Sequence, residues 1–297
     1  MKMKKILFLS IVLFALFFGL RMALRTPPKP ATSDSLVSVG KPLHDGGTTS
    51  DSAKENEVPK KVSLDSVLVM AQEALDRLDR EVQDYTATIL KRERIQNKLG
   101  EESKVLAKIR EAKSDGSQKL EVYLRFETPA SARGREVLWR DGKNDNKLIA
   151  HEAGYLNILR AHLDPQGVVA MLGNRYPISD IGIRNLLIKL VEKGQRAKLE
   201  PDCEVVIDEQ QSIGGRPCTL IQVTHPHRKP DLEFHVAQIF FDQELRLPIR
   251  YACFSWPETG STESVLEEEY TYLDLKLNAG LQDRDFDPDN PEYKYPK

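Results

Sequence analysis

From residue 86 to residue 277 the chain is largely written in short segments whose apolar residues fall on alternate positions, and this period of two most constrains its fold. Val105, Ala107 and Ile109 alternate over 103–111, and Leu120, Val122, Leu124 and Phe126 alternate against Glu121, Tyr123, Arg125 and Glu127. Looser versions cover 86–95, 136–140 and 147–151, and the pattern resumes over 203–209, 218–224, 233–242, 248–256 and 265–277. Successive side chains of a strand point to opposite faces, so each segment predicts a half-buried strand. The connections are short: Asp141-Gly142, Gly214-Gly215 and the stretch 257–260 are turn chemistry. Parallel neighbours need a crossover of about a dozen residues or more, so an antiparallel meander is expected.

Two stretches break the period. Leu64, Val67, Leu68, Ala71, Leu75, Leu78 and Val82 recur at helical spacing behind Ser63, a predicted N-cap. Ile183, Leu186, Leu187, Leu190 and Val191 do the same over 181–192, with Ser179 or Asp180 as the expected cap. Each apolar stripe needs a surface to cover, which predicts an α+β fold: a large curved antiparallel sheet, unclosed and half-barrel-like, with the long N-terminal helix and the second helix packed on its concave side. A concave face covered by helices encloses apolar volume, where ligands usually sit.

Ahead of this domain Lys2, Lys4 and Lys5 precede an apolar run over 6–20 interrupted only by Ser10 and Gly19. A run of about fifteen residues fits a signal sequence and falls short of the roughly twenty that span a bilayer comfortably. Arg21 and Arg25 stand where a cleavage site needs small residues. Residues 1–25 are therefore expected to be a signal peptide or a signal anchor in the inner membrane, with both alternatives open. Residues 26–62, with Pro27, Pro28, Pro30, Gly46 and Gly47 among Ser, Thr and Asp, read as a disordered linker. Residues 63–286 read as a single α+β domain and 287–297 as a flexible acidic tail. A formal charge of -2 with no basic stripe argues against nucleic acid as a partner. Cys203, Cys218 and Cys253 are too few for a disulfide scaffold and are expected as buried free thiols.

Catalytic signatures are missing: no G-x-S-x-G, and no lysine after Gly214-Gly215 to make a phosphate loop. His151 beside Glu152, His162 near Asp164, and His225 with His227 are the histidine groups open to acid–base or metal work. His225 and His227 would share one face of a strand, with His235 as a third ligand, although histidines flanking a proline before Arg228 and Lys229 also describe a solvated loop. No cofactor is expected. The stretch 170–178 mixes apolar residues with Arg and Tyr ahead of the second helix, so Met171, Asn174, Arg175, Tyr176 and Ile178 are the candidate ligand-binding residues.

His151-Glu152, Leu163-Asp164-Pro165, Ala170-Met171, Asn174-Arg175-Tyr176-Pro177-Ile178 and Ile181-Gly182-Ile183 together resemble the bacterial DUF1571 family of exported proteins, a domain of unknown function. Tyr85 with Lys91, Glu93 and Arg94, then Gly134-Arg135-Glu136, and the closing Tyr272-Leu273-Asp274-Leu275 with Asn278 extend the resemblance over nearly all of 63–286. Its layout is similar to LolA, the periplasmic lipoprotein carrier, and to related envelope sensor domains. The resemblance carries over no catalytic residue. It implies a non-enzymatic protein of the bacterial envelope, periplasmic and either secreted or anchored, that binds a lipid, acyl chain or lipoprotein segment. A protein-interaction or envelope-sensor module is the alternative, and a metal-dependent or other hydrolase the third.

Overall fold

The computed structural model describes residues 59–114, 117–154, 157–198, 200 and 202–297. The expected signal segment and the linker up to residue 58 lie outside the described residues.

Strand β1 (Lys60–Lys61) leads into helix α1 (Leu64–Glu81). Ser63 caps α1 as its sequence predicts, its side chain accepting from the Ser66 N–H at 3.2 Å. Val67, Leu68, Ala71, Ala74 and Leu78 form its buried face. A meander follows: β2 (Asp84–Ile95), β3 (Lys98–Leu99), β4 (Ser103–Ser114), β5 (Ser117–Phe126), β6 (Glu136–Arg140), β7 (Leu148–His151) and β8 (Ala161–Leu163). Helices α2 (Val168–Met171) and α3 (Ile183–Ala197) interrupt it, and β9 (Glu204–Ile213), β10 (Arg216–Thr224), β11 (Val236–Asp242), β12 (Pro248–Ser255) and β13 (Val265–Leu277) complete it.

All strands belong to one 13-stranded antiparallel sheet in the order β1-β9-β10-β11-β12-β13-β2-β4-β5-β6-β7-β8, with β3 paired to β2. The sheet does not close; β1 and β8 are its edges. Register carries one face inward: Tyr272 lies opposite Ile89, Tyr251 opposite Tyr270, and Ile221 opposite Ile239. Ile89, Val105, Ile109, Val122, Ile221, Ile239 and Tyr272 share one core with Leu78 of α1 and with Ile183 and Leu187 of α3. Ile183 and Leu187 are fully buried, each worth about 1.5–3 kcal/mol over an exposed position. The two long helices also pack on each other, and Gly194 permits it: a Cβ there would lie 2.5 Å from Leu68 Cδ2. Among the described residues no helix is long and apolar enough to cross a membrane.

Several local expectations need correction. Helix α3 is capped by neither Ser179 nor Asp180; its N-cap is Gly182, with φ 109° and no capping side chain. It also runs to Ala197, beyond its last large apolar residue, because Ala197 itself is buried. Cys218 and Cys253 are buried free thiols, but Cys203 is only half-buried. The stretch 287–297, expected as a flexible tail, lies packed on the outer face of the sheet. Tyr293 stacks on Tyr123 at 3.9 Å with planes 8° apart, and Tyr295 packs against His151. Lys108 meets Asp285 at 2.6 Å and Arg110 meets Asp283 at 2.6 Å. Glu121 and Tyr123, polar-side positions by alternation, are consequently buried at 6% and 4% exposure.

Candidate ligand-binding site

Between the concave face and the segment 165–193 lies a cavity of about 210 Å³. Its floor comes from alternate residues of seven strands: Ile89, Val105, Leu124, Phe126, Val137, Leu148, Ala150, Tyr251 and Tyr272. Its roof is Val169 and Ala170 of α2, then Pro177, Ile178 and Ile181, then Leu186 and Leu190 of α3. The charged residues that reach it are paired: Lys91 with Glu93 at 3.0 Å, Arg135 with Glu152 at 2.8 Å, Lys189 with Asp180 at 2.8 Å, and Lys193 with Glu233 at 2.9 Å. The cavity is thus apolar with a neutralised rim.

Two tyrosines of the sheet hold the roof. The Ile183 N–H donates to the Tyr85 hydroxyl at 2.9 Å, and the Gly182 N–H donates to the hydroxyl of Tyr272. These N–H groups open helix α3, where no intrahelical acceptor exists. Burial pushes both phenols above their usual pKa, so they stay protonated. Only glycine suits residue 182, because φ is strongly positive and a Cβ would lie 3.0 Å from Tyr85 Oη.

A polar clasp closes one end. Lys91 Nζ donates to Asn174 Oδ1 at 2.7 Å, and the Arg175 N–H donates to Glu93 Oε2 at 3.2 Å. Arg175 also pairs with Glu267 and Glu268, both at 3.3 Å, and the Tyr176 hydroxyl donates to Glu268 at 3.1 Å. The Tyr270 hydroxyl donates to Glu93 at 2.5 Å. Burial raises the Glu268 carboxyl above its ordinary value, with Arg175 opposing the shift.

Of the candidate residues, Asn174, Tyr176 and Ile178 line the cavity. Met171 and Arg175 do not; Met171 ends α2 half-buried, and Arg175 turns to the sheet's carboxylates. The histidines lie elsewhere. His225 is buried with its ring 4.8 Å from Phe234, and burial holds its pKa below the usual imidazole value, while His227 is exposed. Among the described residues no group of three or more His, Cys, Asp or Glu side chains is gathered for a metal. The buried His151 Nε2 sits 3.3 Å from Glu136 under the C-terminal segment. Sequence reasoning missed the floor: alternation marks which residues face inward but not which stretch of that face the helices leave uncovered.

A second space, a polar cleft of about 540 Å³, adjoins the cavity, and Pro165 borders both. Glu111, Trp139, Asp141, Asn146, Asp164, Gln166, Ser179, Arg184 and Asn185 line it.

No curated protein matches the sequence. Among solved structures, a DUF1329 family protein from Desulfovibrio piger shares 13% identity over 75% of this chain and 97% of that one, with a TM-score of 0.36. MucB in the Pseudomonas aeruginosa MucA/MucB complex shares 16% over 74% of this chain and 60% of that one, with a TM-score of 0.41. A LolA superfamily protein from Nitrosomonas europaea shares 12% over 73% and 97%, with a TM-score of 0.30. Residues 82–295 match the family described as Protein of unknown function (DUF1571), and the chain belongs to that family.

Proposed function

We propose that the protein is a non-enzymatic binder of an acyl chain, carried by a lipid or a lipoprotein segment, and that the chain lies between the concave face and α3. The apolar cavity with its neutralised rim supports this reading. A cavity of about 150 Å³ lined by Leu, Ile and Phe stays dry and takes benzene. By that measure about 210 Å³ takes roughly eight carbons. At about 0.8 kcal/mol per buried methylene this supplies roughly 6 kcal/mol before the cost of association. Asn174, Tyr176 and Ile178 would contact the chain, while Arg175 would hold their loop in place. In this reading the protein works in the bacterial cell envelope, on the periplasmic side, brought there by the apolar run at 6–20.

The test is native mass spectrometry of the protein recovered from a bacterial envelope without detergent, with organic extraction of what travels with it. The parent is expected to carry an acyl-bearing molecule, and Ala150→Phe, which fills the floor, to lose it while keeping its secondary structure. A parent with the bare mass of the chain would falsify the proposal.

A further inference from the structure

The outermost strands of the sheet shorten toward its edge, from 10 residues in β5 to 5 in β6, 4 in β7 and 3 in β8. Their inward residues Leu124, Val137, Leu148, Ala150 and Leu163 wall one side of the apolar cavity. So short an edge strand, paired on one side only, has few ladder hydrogen bonds to resist local opening. Segment 287–297 crosses the outside of this wall. Tyr293 and Tyr295 join Tyr123, Leu138 and Ile149 in an apolar cluster distinct from the main core. The Lys294 N–H donates to Glu136 Oε2 at 3.0 Å, and the Tyr295 hydroxyl donates to the Ile149 carbonyl at 3.3 Å. Beyond β7 the segment holds the chain that leads into β8. Asn157 Nδ2 donates to the Lys294 carbonyl at 2.6 Å, and Arg160 donates to the Pro296 carbonyl and pairs with Asp289, both at 2.5 Å. Alternation couples the two faces: Glu136 and Ile149, held from outside, are chain neighbours of Val137 and Ala150, which face the cavity. Ala161 of β8 pairs with Ala150, and the chain passes from Leu163 and Pro165 of the cavity wall into α2 of the roof. The other end of the roof is fixed from within, by Tyr85, Tyr272 and the clasp at Glu93 and Glu268.

We propose that segment 287–297 is a strap whose release lets the β6–β8 wall swing out, and that the acyl chain enters and leaves the cavity by this opening. This inference rests on the acyl-binding reading and adds the route of exchange to it. The strap touches no residue of the ligand's surroundings directly; it acts through the strands on which it lies, so it sets rates and not the fit of the chain.

Octanol, which matches the roughly eight carbons of the cavity, is the probe, with calorimetry for affinity and nuclear magnetic resonance exchange for rates. The full chain is used, after excess octanol has displaced any resident ligand. Arg160→Gln takes one charged hydrogen bond from the strap and should speed both association and dissociation of octanol about tenfold, leaving Kd within about twofold of the parent's. The Lys294 amide, on the outer face of the sheet, should exchange with solvent about tenfold faster in the variant. In the parent, octanol at about ten times its Kd should slow that exchange about tenfold. Tyr295→Phe keeps the ring against His151 and loses only the hydroxyl, so it should move the same rates in the same direction and keeps the test open should Arg160→Gln fail to fold. Unaltered octanol rates beside faster Lys294 exchange would overturn the strap and leave the acyl-binding reading standing. A weaker Kd arising from dissociation alone would show that the segment shapes the site without gating it, which also overturns the strap. A parent that does not bind octanol would overturn the acyl-binding reading and this inference with it.

Discussion

Replacing Tyr85 by Phe removes one oxygen atom from the floor of the fold, and its effect should be felt in the roof. The Tyr85 side chain is 1% exposed, and its hydroxyl accepts the Ile183 N–H at 2.9 Å. Ile183 is fully buried, so no water can take over the lost acceptor. A buried N–H left without a partner costs about 1–3 kcal/mol. Taking about 2 kcal/mol, and about 2–4 °C per kcal/mol for a domain of this size, Tyr85→Phe should melt about 4–8 °C below the parent. Tyr272→Phe should act similarly through the Gly182 N–H. Because both hydroxyls hold one helix terminus, the double variant should not be the sum of the singles. Thermal melts followed by circular dichroism, together with urea midpoints at unchanged slope, are the assay. A Tyr85→Phe protein with the parent's melting temperature and urea midpoint would refute the idea that the sheet caps α3.

Other parts of the fold make independent predictions. Burial alone would push the Asp242 carboxyl up, but Arg216 and the N–H groups of Leu245 and Glu244 outweigh it and hold it below the usual carboxylate value. Its stabilisation is then full above the unfolded pKa and is lost as pH falls through the folded one. Asp242→Asn should therefore lose about 2 kcal/mol near neutral pH, with the gap to the parent closing in acid urea titrations. Burial pushes the thiol pKa of Cys218 up to about 11 and that of Cys253 up to about 12, so alkylation at mildly alkaline pH should follow unfolding, and rapid labelling of the native protein would contradict the packing. Tyr293→Ala removes the ring stacked on Tyr123 and should cost about 3 kcal/mol, measurable by urea denaturation; a loss below about 0.5 kcal/mol would mean the C-terminal segment adds no stability.

Elements whose signals are local were legible in the sequence. Ser63 and the helical spacing behind it gave α1 within a residue, and Gly214 with Gly215 marked the β9–β10 turn, both with positive φ. The elements missed depend on partners elsewhere in the chain. The edge strand β8 is three residues long and exists because 161–163 pairs with 148–150, not because it alternates. The cap of α3 comes from Tyr85, 98 positions away, and no local pattern announces it. Arg175 resembles a binding residue by composition, but Glu267 and Glu268 of β13 engage it. The burial of Glu121 and Tyr123 on the solvent side follows from the C-terminal segment that lies over them, so alternation alone assigned that face to water.

The sheet's middle seam joins its earliest and latest long strands. Thr88 of β2 and Asp274 of β13 share a 3.1 Å hydrogen bond across 186 positions of chain. Loop closure over such distances must precede the contacts that reward it, which slows assembly. A chain emerging N-terminus first would build the hairpins on either side while β2 waits with one edge unpaired. That open edge is a template for foreign strands until β13 arrives. Closure of the seam between β2 and β13 should therefore be a late step, and a holdase that shields β2 during that interval should raise the yield of native molecules.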